Sequence, residues 1–159
     1  MNDDKNLYRG KRVDKVYDGV WAFNGGWVVG DLIVSKDKYY IHPRANAFQV
    51  DGTLSRLVVL HEVKKESVGQ FTGLNDKRGC PIFDGDVVAT FVNDRIQSVG
   101  DVQFKCGVFG VEWTENKVNR RMVGVFGQRH NLRRLDDDIM DDIEVIGNRF
   151  EFPELLHDL

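Results

Sequence analysis

Sixteen glycines are spread along this chain of 159 residues, against only three prolines. Between the glycines lie short runs rich in Val, Ile, Phe, Tyr and Trp. β-Branched and aromatic side chains fit a pleated, half-buried surface, and short runs bounded by turn residues suit strands joined by turns. The runs predict strands at residues 27–34, 38–42, 57–63, 68–72, 86–92, 96–106, 108–114 and 143–147. Helical periodicity is almost absent. The segment "LDDDIMDDIEV" from Leu135 has two turns' worth, with Ile139 and Ile143 four residues apart. The closing "FPELLHDL" predicts one more turn, with Pro153 at a first helical position, where its missing N–H costs nothing. The expected fold is mainly β: a small curled antiparallel sheet or partly open β-barrel with one or two short C-terminal helices. The length suits a single domain, expected to span residues 1–159.

One local pattern recurs: glycine, aspartate, then apolar residues, at Gly30-Asp31, Gly85-Asp86 and Gly100-Asp101. The spacings are unequal, so this is no solenoid repeat. Its physical reading is a bend or bulge followed by a strand. Glycine permits the bend, and the aspartate can accept from nearby backbone donors. The structural positions expected from this and the neighbouring turns are Gly30, Asp31, Gly69, Phe71, Gly73, Gly85, Asp86 and Gly147.

The densest turn chemistry is "VGQFTGLNDKRGCPIFDGDVV" from Val68. Asn75–Gly79 fits a hairpin loop started by the Asn75 or Asp76 side chain, with Gly79 at a positive φ near its end. Pro81 has no N–H to give a ladder, so it is expected near the loop or on an edge. A bent strand should follow at Asp84-Gly85-Asp86.

This stretch closely resembles the signature of the YopX family of phage and prophage proteins. "YRGKR" from Tyr8 and "GGWVVGDLI" from Gly25 resemble that family's opening, and "IEVIGNRFEFPELL" from Ile143 resembles its close. Together the segments bracket nearly the whole chain. Cys80-Pro81 depart from the family's usual polar residues, and residues 49–60 and 101–134 match no family pattern. The resemblance implies a mostly β fold, a phage or prophage origin and the cytoplasm of a bacterial host. It implies no catalytic residues.

Composition narrows the rest. A net charge of −3 gives no bulk attraction for polyanions, though a local basic patch is compatible with it. The N-terminal "MNDDKNLYRGKR" lacks the apolar core of a signal peptide, and no apolar run reaches the roughly 20 residues of a membrane helix. Two cysteines do not make a disulfide scaffold. His42, His61, His130, His157, Cys80 and Cys106 show no pair at zinc-ligand spacing, so no metal or cofactor is expected. Asp136, Asp137, Asp138, Asp141 and Asp142 lack the ligand order of a calcium loop and suit the solvated first turn of a helix. No nucleophile motif or phosphate-binding loop is present, so an enzyme is not expected.

The expected function is a protein-interaction module, with a host or phage protein, or a second copy of the chain, as partner. The alternative is a nucleic-acid-binding protein using Arg120, Arg121, Arg129, His130, Arg133 and Arg134, which lie within fifteen residues, with Phe126 and Trp113 near in sequence. Guanidinium groups pair with phosphates, and aromatic faces stack on bases.

Overall fold

The computed structural model describes residues 6–13, 26–44, 48–50, 53–55, 60–105, 107–114 and 143–156. Two compact units divide the chain after Gln70.

The first unit holds β1 (Tyr8–Lys11), β2 (Trp27–Ser35), β3 (Lys38–His42), β4 (Phe48–Val50), β5 (Thr53–Ser55) and β6 (His61–Val63). All pairings are antiparallel. β1 lies beside β2, β2 beside β3, and β3 beside β6, while β4 and β5 form a hairpin of their own. Gly69 and Gln70, the first residues of β7 (Gly69–Asn75), flank β1 on its other side. Cross-strand partners share a face of the sheet, and residues alternate between faces. One face is packed: Val28, Ile41 and Val63 are buried, with Tyr8, Leu32, Tyr39 and Val68 against them. The sheet closes tightly at Gly30, where an added Cβ would run into the His42 carbonyl.

The second unit starts with the rest of β7, which pairs with β8 (Pro81–Phe83). Its main sheet has the order β11 (Val108–Thr114), β10 (Arg95–Lys105), β9 (Asp86–Val92), β12 (Ile143–Asn148). β9 is central and buried on both faces. Val88 packs with Ile82, Val102, Val111 and Ile143; Val87 and Ala89 pack with Val99, flanked by Phe91, Ile146, Leu155 and Leu156. A strand buried on both sides reads as a continuous apolar run, which "VVA" is. The β9–β10 turn places Asn93 at φ 50° and Asp94 at φ 61°, so both residues of this two-residue hairpin are left-handed. Asn and Asp tolerate that conformation better than other side chains.

The fold is therefore mainly β, as the glycine-bounded runs predicted. Antiparallel sheets carry it and no closed barrel forms among the described residues. The strands expected at 38–42, 86–92 and 108–114 have those bounds, and those at 27–34, 68–72, 96–106 and 143–147 shift by a few residues; residues 57–59 of the strand expected at 57–63, and Cys106, lie outside the described residues. β1, β4 and β5, each of three or four residues, fall outside the runs that predict strands, while β8 is the second arm of the hairpin expected around Asn75–Gly79. At the C-terminus a 3₁₀ turn spans Pro153–Leu156, with Pro153 first. The helix expected from Leu135 lies on residues up to 142 that are outside the described set.

The glycine–aspartate pattern divides. Gly85 makes the predicted bend at φ +85°, and Asp86 accepts from the Phe83 N–H at 2.8 Å. Gly30 and Gly100 instead lie inside β2 and β10. There the glycine serves a close approach: a Cβ on Gly100 would come within 2.6 Å of the Val111 side chain and 2.7 Å of the Glu112 carbonyl. Their aspartates bond side chains instead, Asp31 to Arg44 and Asp101 to Gln103 and Arg149.

Candidate functional site

Arg120, Arg121, Arg129, His130, Arg133 and Arg134 lie outside the described residues, as do Asp136–Asp142, His157 and Cys106. Of the other candidate ligands, His42 is half-buried in β3, His61 is buried in β6 and Cys80 is exposed after the β7–β8 loop. Among the described residues no three His, Cys, Asp or Glu side chains converge as a metal site. No helix of the described residues is long and apolar enough to cross a membrane.

The geometry brings a different group together, on the face of the first unit's sheet opposite its core. The registers Arg9–Val29, Lys11–Trp27, Asp31–His42, Ile33–Tyr40 and Tyr40–Glu62 put these residues on one side. Val29 is 41% exposed and Ile33 is 40% exposed, whereas Val28 and Ile41 on the other side are buried. At one end of the face, the Arg9 guanidinium lies 4.8 Å from the Trp27 ring centroid and the Lys11 ammonium 5.5 Å from it. A cation over an indole face is attracted by the ring quadrupole, and it holds the ring in one orientation. Further along, Arg44 bonds Asp31 through Nε at 2.9 Å, and Lys38 meets Glu62 at 2.9 Å. The Arg44 bond holds the Asp31 carboxyl below its ordinary range, against a smaller opposing effect of burial.

The sequence pattern places Trp27, Val29, Asp31, Ile33, Tyr40, His42 and Glu62 in strands, though not Arg9 and Lys11 of β1, and it does not separate their faces. "WVVGDLIV" is apolar at both parities, so its alternation does not mark an inside and an outside. The usable signal was cross-strand: "YRGK" alternates cationic with small or aromatic residues, which marks Arg9 and Lys11 as one face.

The second unit carries a polar chain along β10 and β11. Arg149 donates to Asp101 at 3.0 Å and to Asp84 at 3.4 Å. Gln103 bridges Asp101 at 2.7 Å and Glu112 at 2.9 Å, and Lys105 closes on Glu112 at 2.9 Å. The Arg149 N–H also donates to the Gly85 carbonyl at 2.9 Å, so the residue fastens the end of β12 to the bend. Burial raises the Asp84 carboxyl above its ordinary value, with Arg149 opposing. Each carboxylate is engaged by a cation or an amide, an arrangement that clamps strands.

No curated protein matches the chain. The crystal structure of protein EF1440 from Enterococcus faecalis is similar at 20% identity, over 96% of this chain and 97% of that one, with a TM-score of 0.46. A family model described as YopX protein matches residues 22–157, most of the chain, and the protein belongs to the YopX family.

Proposed function

We propose that this protein is a binding module that works by contacting another protein, and that the open face of the β1–β2–β3–β6 sheet is its contact surface. The observation that carries this reading is the row of large side chains left on that face, with Val29 and Ile33 about as exposed as each other between Trp27 and Tyr40. Trp, Tyr and Arg are the side chains that most often dominate binding energy at protein interfaces, and contiguous exposed apolar surface is the usual mark of a contact site. The role is binding rather than catalysis. The setting is that of a phage- or prophage-encoded accessory protein acting in the cytoplasm of a bacterial host, which follows the resemblance of its sequence.

The test is capture from bacterial lysate on the immobilised full chain, with and without nuclease, followed by mass spectrometry. Partners should survive nuclease and be lost with Val29→Asp or Ile33→Asp, each first checked for an unchanged melting transition. Capture indifferent to both substitutions would overturn the face as the contact surface. Capture that vanishes with nuclease would favour nucleic acid and return attention to the Arg120–Arg134 segment.

A further inference from the structure

The two edges of the β11–β10–β9–β12 sheet differ. Along β12, the β7–β8 loop takes up outward backbone groups. The Lys77 N–H donates to the Ile143 carbonyl at 3.1 Å, the Val145 N–H to Asp76 Oδ2 at 3.0 Å, and the Arg78 guanidinium to the Val145 carbonyl at 3.0 Å. Among the described residues β11 has a neighbouring strand on one side only, and its seven residues hold no Lys, Arg or Pro. Those are residues with which proteins blunt an open edge. We infer that β11 is a dimerisation edge: it pairs antiparallel with β11 of a second copy of this chain, about a two-fold axis at Val111. This goes beyond the contact reading above, since it uses another sheet and another partner.

The strand's own sequence commits it to that partner. "VFGVEWT" has nearly the same chemistry read from either end: a β-branched residue, an aromatic, a small or polar residue, then the central Val. Pairing centred on Val111 sets Val108 opposite Thr114 of the second copy, Phe109 opposite its Trp113 and Gly110 opposite its Glu112. Opposed residues then share a parity, so the face that buries Val102 and Val111 continues across the axis. On that face Phe109 meets Phe104 with ring centroids 4.8 Å apart, and Phe104 is 49% exposed. Trp113 of the second copy extends the pair into a row of three rings, and symmetry makes the row twice. Aromatic pairs opposite each other across strands are among the contacts that stabilise a sheet.

Neighbouring registers lose this match. Centring on Glu112 puts that carboxylate opposite its own copy, and like charges directly opposite destabilise a strand pair. Centring on Gly110 leaves Trp113 with no residue of the strand opposite it. In the Val111 register each Glu112 faces a glycine, which leaves it room, and it keeps its Lys105 partner at 2.9 Å. A two-fold pairing uses both copies of the β11 edge, and the loop already covers part of each β12 edge, so assembly closes at the dimer.

The experiment is sedimentation equilibrium of the full chain over a range of concentrations. The mass should rise from the 18.2 kDa of one chain toward twice that value. Phe109→Lys and Val108→Lys put a cation on the edge strand and should each weaken association by on the order of tenfold, with an unchanged melting transition checked first. Ile33→Asp, on the first unit's sheet, should leave association unchanged, which separates a failure here from a failure of the contact reading. A spin label at Val108→Cys, in a Cys80→Ser and Cys106→Ser background, reads the register. Val108 lies three residues from the axis on each strand, so the labelled backbones should sit about 20 Å apart. A single-chain mass at every concentration, association indifferent to both Lys substitutions, or a label distance far from that value would overturn the inference. A single-chain mass with lysate capture lost in Phe109→Lys would overturn it in favour of another protein's strand on the same edge.

Discussion

Two turns of the second unit, with aspartates eight residues apart at Asp76 and Asp84, use aspartate and glycine to opposite electrostatic effect. In the β7–β8 loop, Asp76 Oδ1 accepts from the Arg78 and Cys80 N–H groups at 2.9 and 2.8 Å, and Oδ2 accepts from the Val145 N–H at 3.0 Å. Burial pushes this carboxyl up, but the three backbone donors and the Arg78 guanidinium reverse that and hold it below its ordinary value. In the β8–β9 bend, Asp84 is also pushed up by burial, and there Arg149 at 3.4 Å does not reverse it. At Asp76 the three backbone N–H bonds and Arg78 outweigh desolvation, while at Asp84 the Arg149 ion pair and backbone hydrogen bonds from Phe104 and Gly85 do not, with the nearby Asp101 carboxylate adding to the rise. The first turn is held by its charge. The second is held by its backbone, through Gly85 at φ +85°, its N–H to the Val102 carbonyl at 2.8 Å and its carbonyl to the Arg149 N–H.

The largest effect that tests this contrast is Asp76→Ala. It strands three backbone donors and should destabilise by roughly 3–4 kcal/mol in urea unfolding. A loss below about 1 kcal/mol would show that the loop does not depend on its carboxylate. Gly85→Val comes next, at roughly 1–3 kcal/mol, because a β-branched residue is strained at positive φ and its side chain meets Arg149. An unchanged melting temperature there would remove the bend from the comparison. Gly79→Ala separates strain from crowding. Gly79 has φ +81° with nothing within 4 Å of an added Cβ, so the cost should be backbone strain alone, roughly 1–2 kcal/mol.

The smallest effect carries the sharpest sign. Asp84 has a folded pKa above its ordinary 3.8, so its contribution to stability is full below 3.8 and is lost as pH rises through the folded value. Asp76 has a folded pKa below 3.8, so its contribution is present above 3.8 and is lost as pH falls through the folded value. Asp84→Asn should therefore leave stability at neutral pH equal or slightly higher, and flatten the decline in the window just above 3.8. Asp76→Asn should instead flatten the acid limb below it. Melting temperatures across pH for both variants check this, and a matching response from the two would dissolve the distinction.

Much of this pair of turns was visible in "LNDKRGCPIFDGD". The loop at Asn75–Gly79, the turn-starting aspartate, the positive φ of Gly79 and Gly85 and the edge position of Pro81 are all local consequences of side-chain reach and backbone sterics. What could not be seen is that Asp76 also accepts from Val145, 69 residues away, or that Arg149 sits across from Asp101, 48 residues away. The candidate surface shows the same division. Its strands apart from β1 follow from the sequence pattern, but no pattern singles out its residues as one surface. The arginines that were named lie outside the described residues.

Local chemistry is encoded within a few residues, so the β class, most strand positions, the two aspartate turns, the Pro153 turn and the family resemblance can be read along the chain. The order of the strands and the packed face of each come from tertiary contacts. Tertiary structure alone turned Gly30 and Gly100 from expected bends into close contacts, and placed Arg9 and Lys11 against Trp27 on an open face. Those facts depend on which distant strands lie side by side, and a strand apolar at both parities, such as "WVVGDLIV", does not announce which face it will bury.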